Sequence, residues 1–276
     1  MKKNNFTVNY NQDGLRLFVV IADELSVSKK QSQFWIDSKL VLVNKKRVWI
    51  KKHLVNEGDF IEILSLNNTL KLPKKIPIVW QDSYYIIINK PPGLITNAAK
   101  NSIEESLRIQ EGNLNIVAVH RLDKETSGCL IFAKSSKNKN KAIPLFKEKK
   151  IIKIYRAITI GKFPRIWKEI RTDISGYMAT TLVKILDHNK IGSYLEVKIE
   201  TGRTHQIRKH LAYKRYPVLG DKKYAGTGNN LSLEQPRHML HAYCLIFNHP
   251  FTNERISVKA PIPSDFKKCL NQVKLS

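Results

Sequence analysis

Short runs of β-branched and aromatic residues recur from residue 78 onward, and clusters of turn-forming residues separate them. Few helical stretches lie between the runs, and no repeat of fixed period is present. This pattern predicts an α+β domain built on a long sheet, mixed or mainly antiparallel, over residues 78–276. The polar, proline-containing stretch 66–77 before it predicts a linker. The runs are IVW, YYIIINK, NIVAV, CLIFAK, IIKIYRAITI, TTLVKIL, SYLEVKIE, YCLIF and RISVKA.

The first 65 residues have a different pattern, which predicts a small α/β module over residues 1–65. Residues 15–25 and 28–39 have the apolar spacing of helices. The run VLVNKKRVWI at 41–50 predicts a hairpin around a turn at Asn44-Lys45. A further short strand follows a Gly-Asp turn, so the module combines two helices with a hairpin.

The charge of the chain favours an anionic partner. Forty-eight Lys and Arg stand against 23 Asp and Glu, a formal net charge of +25. Nucleic acid is the first candidate and an anionic membrane surface the second, although an A/T-biased coding sequence also raises the lysine count. Lys29, Lys30, Lys45 and Arg47 of the module could form one face for binding phosphates of RNA, or simply a solvated basic face.

The three cysteines are odd in number, widely spaced and without a CxxC pair, which disfavours both a disulfide framework and a zinc knuckle. No apolar run approaches the length of a membrane span, and the polar start of the chain does not have the pattern of a secretory signal. We therefore expect a soluble cytoplasmic protein without a membrane partner.

The segment HRLDKETSG at 120–128 places Asp123 between Arg121 and Lys124, and two apolar β runs flank it. It predicts a loop that leaves one strand and enters the next, tight because Gly128 permits a positive φ. An ionised, oriented aspartate there could act as a nucleophile or a general base. An ordinary polar turn fits the spacing as well.

The segment ETGRTHQIRKHLA at 200–212 predicts the end of a strand and a helix from about Thr204. Ile207 and Leu211 would face the core and leave Arg208 on the flank of that stripe. Such an arginine could pair with a carboxylate, or it could bind phosphate or lie exposed.

A metal or nucleotide cofactor is not indicated. His205 and His210 lie five positions apart, roughly 140° around a helix, and so do not share a face. The Gly226-Thr227-Gly228 stretch has neither the lysine of a P-loop nor a Rossmann context. We expect catalysis without a metal or a cofactor.

The segment HRLDKETSG, with INKPPGL (88–94) upstream and IKIYRAITIG (152–161) and ETGRTHQIRKH (200–210) downstream, resembles the RluA-type RNA pseudouridine synthases. The motifs occur in the family's order. The first fifty-odd residues resemble the small RNA-binding domain named after ribosomal protein S-four. The accessory module and the C-terminal KAPIPSDFKKCLNQV are most similar to the RluC branch.

The resemblance implies the pseudouridine synthase fold and isomerisation of uridine in RNA to pseudouridine, with Asp123, Tyr155 and Arg208 as catalytic residues. Asp123 would attack the sugar or base, or remove a proton on a glycal-type path. Tyr155 would stack on the target base. Arg121 would occupy the space of the flipped nucleotide. Arg203, His205 and Gln206 are assigned to RNA binding in the same site.

Large-subunit ribosomal RNA is the expected substrate, acted on by a monomer during ribosome biogenesis. Two alternatives remain open from the sequence. One is a synthase for transfer RNA, and the other is a non-catalytic RNA-binding factor of ribosome assembly with a silenced site. An anionic-membrane binder is disfavoured, since the chain lacks a basic amphipathic helix with an aromatic face.

Overall fold

The computed structural model describes residues 5–37, 40–50, 52–63, 75–97, 102–166, 168–226 and 235–276, with the backbone alone at Lys30. The predicted linker falls largely outside these residues. The chain forms two compact units. The first comprises Met1–Ile76 with Glu104–Ile116, and the second comprises Pro77–Ile103 with Val117–Ser276.

The first unit contains the helices α1, α2 and nearly all of α3, and a small antiparallel sheet with the strand order β1-β4-β2-β3. Asn44 and Lys45 join β2 to β3 with φ of 50° and 65°, the left-handed geometry of a tight hairpin turn. Ile109 of helix α3 packs against the core of this unit. The elements are β1 (Asn5–Thr7), α1 (Leu17–Glu24), α2 (Lys29–Asp37), β2 (Val41–Val43), β3 (Lys46–Val48), β4 (Phe60–Ile63) and α3 (Ile103–Glu111).

The second unit is built on one sheet with the strand order β10-β11-β12-β9-β13-β8-β6-β5, in which β14 also pairs with β13 and β7 with β8. Among the described strands, β8 and β13 form the parallel pair, and the other pairs are antiparallel. The predicted α+β class is confirmed. The elements are β5 (Ile78–Gln81), β6 (Tyr85–Lys90), β7 (Val117–Ala118), β8 (Ser127–Ala133), α4 (Ser136–Lys147), β9 (Ile152–Ile160), β10 (Glu169–Asp173), β11 (Met178–His188), β12 (Gly192–Ile199), α5 (Gln206–Tyr213), β13 (Leu240–Asn248), β14 (Arg255–Lys259) and α6 (Ser264–Gln272).

The central strands of this sheet are buried on both faces. Every residue of β8 is buried, as are five of the six residues of β6. A strand covered on both sides has no polar face, which explains why these segments have continuous apolar runs instead of an alternating pattern. The sheet is therefore a rigid support for the loops that leave its strands.

The parallel contact between β8 and β13 aligns Gly128 with Ala242. Gly128 has a φ of +113°, and a Cβ atom built there would lie 2.2 Å from the Ala242 carbonyl oxygen. Strand β8 thus begins at Ser127, earlier than the apolar run CLIFAK predicts. The sequence assigned Ser127 and Gly128 to the loop, and this is wrong because the backbone of β13 pairs with both residues.

Candidate active site

Asp123 lies in the loop between β7 and β8, and hydrogen bonds fix the backbone of this loop. The Asp123 carbonyl accepts a hydrogen bond from the Thr126 amide at 3.1 Å, which closes a turn. The Thr96 hydroxyl lies 3.2 Å from both the amide and the carbonyl of Leu122, donating to one and accepting from the other. The acid is consequently held in a loop that is anchored immediately before and after it.

Two buried basic side chains hold the residues that follow Asp123. Lys90 is fully buried, which lowers its pKa to about 7, and its Nζ donates to the Lys124 carbonyl at 2.9 Å. Arg237 is also buried, and its Nη1 donates to the Glu125 carbonyl at 3.1 Å. The Arg237 guanidinium forms an ion pair with Asp265 of α6 at 2.7 Å. Consecutive carbonyls of the loop are thus bound to basic side chains inside the protein.

Arg208 binds two carboxylates. Its Nη1 donates to Asp123 Oδ2 at 3.0 Å, so the ion pair expected from the sequence is present. Its Nε and Nη2 donate to the two oxygens of Asp221 at 2.6 and 2.8 Å. The Asp221 carboxylate also accepts from the amides of Lys223 and Tyr224 at 3.0 and 3.2 Å. This bidentate contact fixes the plane of the guanidinium and directs the remaining nitrogen to Asp123.

Electrostatics favour the charged forms of Arg208 and Asp221. Burial alone would lower the pKa of Arg208, but its bonds to Asp221 and Asp123 outweigh burial, and the pKa is raised. Burial likewise favours a higher pKa for Asp221, yet Arg208 holds it below its ordinary value. His205 Nε2 lies 3.7 Å from Asp123 Oδ1, and burial lowers the pKa of this ring. Arg208 is thus the permanent positive charge beside Asp123, because His205 is neutral near pH 7.

Tyr155 belongs to β9, with Val197 of β12 on one side and Ala242 of β13 on the other. Its side chain is 8% exposed and lines the same pocket as Asp123. Burial, and then the charge of Asp123, raises the pKa of the phenol well above its ordinary value. The side chain therefore presents a neutral phenol, which can stack on a flat ligand and donate a proton.

The pocket gathers the site residues that the sequence assigned to the catalytic domain. Arg121 and Arg203 are exposed at it, and the Arg203 guanidinium stacks 4.6 Å from the centre of the Tyr177 ring. These cations can contact RNA phosphates or bases directly. The predicted residues that line the pocket are Arg121, Asp123, Tyr155, Arg203, His205, Gln206 and Arg208.

Gln206 lines the pocket, but its amide is engaged within the protein. Its Oε1 accepts from the Thr201 hydroxyl at 2.7 Å and from the Arg203 amide at 3.1 Å. Its Nε2 donates to the Thr180 carbonyl at 2.9 Å and the Thr181 hydroxyl at 3.0 Å. These bonds fix the turn between β12 and α5, and thereby the start of the helix that carries Arg208.

The cations predicted for the module belong to the first unit. Lys29, Lys45 and Arg47 are exposed there, while the side chain of Lys30 lies outside the described residues. Lys29 begins α2, Lys45 lies in the β2–β3 turn, and Arg47 belongs to β3. Their exposure leaves them accessible to phosphates.

Asp221 and Arg237 are site residues that sequence reasoning missed. Asp221 is 1% exposed and Arg237 is 4% exposed. An acid in the polar, glycine-containing stretch GDKKYAG has the appearance of a turn residue. The sequence did contain one signal. Acidic residues are scarce in this basic chain, so any acid that lies near a predicted functional arginine in the sequence is a candidate partner for it.

The described part of the chain contains no group of three or more His, Cys, Asp or Glu side chains that could hold a metal ion. No helix within it is long and apolar enough to cross a membrane.

Comparison with known proteins gives the class of this fold and site. Residues 84–213 match the model of the RNA pseudouridylate synthase family. The solved structure of human RNA pseudouridylate synthase domain containing 4 superimposes with a TM-score of 0.60 at 25% identity, covering 72% of this chain and 94% of that one. The chain thus has the pseudouridine synthase fold.

Two curated bacterial relatives extend this similarity. Ribosomal large subunit pseudouridine synthase D of Neisseria meningitidis is 32% identical over 98% of this chain and 81% of its own length. The tRNA pseudouridine synthase C of Vibrio parahaemolyticus is 32% identical over 71% of this chain and 94% of its own. The chain belongs to the RNA pseudouridine synthase family and is an isomerase.

Proposed function

We propose that this enzyme converts uridines of large-subunit ribosomal RNA to pseudouridine, with Asp123 as its catalytic residue. The observation that carries the proposal is the Asp123–Arg208 ion pair in the pocket that Tyr155 also lines. A carboxylate that acts beside RNA phosphates meets their repulsion, and the fixed positive charge of Arg208 counters it.

The proposed reaction is an isomerisation. The N-glycosidic bond of a uridine breaks, the uracil rotates, and its C5 joins C1′ of the same ribose as the C5 proton leaves and N1 gains a proton. Asp123 either attacks as a nucleophile or removes a proton, and both paths require the carboxylate form. Arg208 acts on Asp123 as a positioning residue, and the neutral phenol of Tyr155 stacks on the uracil.

Access to the glycosidic bond requires the uridine to leave its stack, at a cost of a few kcal/mol. Arg121 is exposed, lies two residues from Asp123 and lines the pocket. We assign Arg121 to the space that the flipped nucleotide vacates, and Arg203 and His205 to contacts with the RNA around it. Gln206 supports this binding through the turn that it fixes.

The choice of substrate depends on the relatives. The Neisseria relative is named for the large ribosomal subunit, and it aligns with nearly the whole chain. We therefore assign ribosomal RNA as the substrate. The relative is a synthase D, so this similarity gives no support for the RluC branch that the sequence suggested. Transfer RNA is the second candidate, because the Vibrio relative is equally identical over a shorter span.

We further propose that the first unit is an RNA-binding module of the S-four type. Its exposed Lys29, Lys45 and Arg47 give it the charge for phosphate contacts. Such contacts would hold the ribosomal RNA without reading the target uridine, which is selected in the pocket of the second unit.

Tritium release tests the activity. Ribosomal RNA transcribed with tritium at uridine C5 is expected to release it to water upon incubation with the enzyme, because C5 exchanges its hydrogen for the bond to ribose. Carbodiimide mapping of RNA from cells with and without the gene then locates the product. Sites confined to transfer RNA would replace the ribosomal assignment with the second candidate, and no release from either RNA would contradict the activity.

Asp221→Asn tests the positioning of Arg208. The substitution keeps the volume but removes the charge that fixes the guanidinium, so we expect kcat to fall at least about 10-fold with little change in KM. The unfolding free energy should also fall, by about 3 kcal/mol. The control is Asp173→Asn, an exposed acid that accepts a bond from Gly176 in the turn between β10 and β11. Unaltered kcat in Asp221→Asn would contradict this role.

A further inference from the structure

A groove lined by both apolar and cationic side chains lies beside β3 in the first unit. Trp49, Ile50 and Leu54 line it, and each of the three side chains is more than half exposed, at 56%, 57% and 55%. Lys46 and Arg47 line it too and are exposed. Large apolar side chains kept in water beside cations indicate a binding surface for a ligand that is both flat and anionic.

The groove is preformed. The Asn44 side chain donates to Asp59 at 2.7 Å and accepts from the Phe60 amide at 2.8 Å. The other oxygen of Asp59 accepts from the Asn56 amide at 2.8 Å. Asp59, the acid of the lining, is thus bound to its neighbours but keeps its negative charge, which the two cations Lys46 and Arg47 outnumber.

The loop after Trp49 is anchored as well. The His53 carbonyl accepts from the Leu17 amide at 2.9 Å, and Leu54 forms a β-bridge with Arg16. The start of α1 therefore supports this part of the groove. A lining whose backbone is held in this way loses little conformational entropy when a ligand binds.

We propose that this groove binds an unpaired nucleotide of RNA, with its base stacked on Trp49 and its phosphate bound by Lys46 or Arg47. Aromatic stacking beside a cationic track is the chemistry by which single-stranded RNA is held without sequence reading. This inference rests on the proposed function. It adds to that function that the first unit binds single-stranded RNA.

Charge and shape favour this occupant over a protein or a membrane. A protein partner for Ile50 and Leu54 would need an acidic surface to match Lys46 and Arg47, whereas every nucleotide carries an anion at a fixed distance from a flat base. Interfacial membrane binding uses an amphipathic helix, and this surface is a loop after a strand.

The test uses the full-length protein and a short oligoadenylate, which contains no uridine and so offers nothing to isomerise. Trp49→Ala is expected to bind it about 5- to 100-fold more weakly, the loss that one stacked base produces, with an unchanged salt dependence because no charge is removed. Trp49→Phe should keep most of the affinity, and Trp49→Leu should lose it. Tyr10→Ala removes a 78% exposed aromatic of the same unit outside the groove, and should bind like the wild type.

Wild-type affinity in Trp49→Ala would overturn the inference, as would full affinity in Trp49→Leu, which indicates plain apolar contact. Polyglutamate and phosphatidylglycerol vesicles stand for a protein and a membrane. If either displaced the bound oligoadenylate as effectively as added free oligoadenylate does, the inference would be overturned in favour of that partner. The proposed activity is measured separately by tritium release from a short uridine-containing stem-loop. That assay uses the wild-type enzyme, and the oligoadenylate contains no uridine to isomerise, so either proposal can fail without the other.

Discussion

Asp123→Asn is expected to lower the rate of pseudouridine formation by at least about 10³-fold, because an amide serves neither as a nucleophile nor as a general base. The volume is unchanged and Arg208 stays bound to Asp221, so the pocket should keep its geometry. RNA affinity should be equal or slightly higher, since one anion is removed near the phosphates. Single-turnover tritium release and filter binding on the same RNA measure the two quantities.

The outcome of Asp123→Asn separates catalysis from binding. Asp173→Asn, in the exposed turn between β10 and β11, is the matched control and should retain wild-type rates. Full activity in Asp123→Asn would sink the catalytic assignment. Equal losses of rate and affinity would instead indicate that the acid organises the RNA site.

Gly128→Ala is expected to lower the free energy of unfolding by about 3 kcal/mol or more. Alanine is strained at the φ of +113°, and its Cβ would lie 2.2 Å from the Ala242 carbonyl oxygen, so β8 or β13 must move. This motion would displace the start of β8, directly after the loop that carries Asp123. Urea unfolding and tritium release should both register the change.

Gly176→Ala is the control that isolates the steric clash. Gly176 also has a positive φ, +84°, but a Cβ there would meet nothing within 4 Å. Its cost should be about 1 kcal/mol, from backbone strain alone. Equal stability of the two variants would show that β13 yields easily and that the close approach of the strands is unimportant.

Much of the fold follows from local patterns. The hairpin around Asn44-Lys45 and the strands from residue 78 onward are confirmed, since turn chemistry and apolar runs specify them locally. Strand β10 was missed because Ile170 is its buried residue and the others are polar. An edge strand that pairs through its backbone has no apolar signature.

Local sequence patterns predict less of the candidate active site than of the fold. Asp123 and Arg208 are 85 residues apart in sequence, and their pairing was expected because they match family motifs. Asp221 lies outside the four family motifs, 13 residues beyond Arg208 in a polar stretch. Its role depends on burial and on the direction of a guanidinium, both of which are tertiary properties. Gln206 was expected to contact RNA, yet its amide makes four bonds within the protein, two of them to the adjacent strand β11.

The bond between Arg237 and the loop of Asp123 joins parts of the polypeptide that are synthesised far apart in time. Arg237 reaches Glu125 across 112 residues, and its ion-pair partner Asp265 follows another 28 residues later. A nascent chain in which HRLDKETSG has already been synthesised still lacks both Arg237 and the acid that pairs with it. The loop around Asp123 can therefore gain this contact only after α6 has been synthesised, so the last hydrogen bonds that hold it form late.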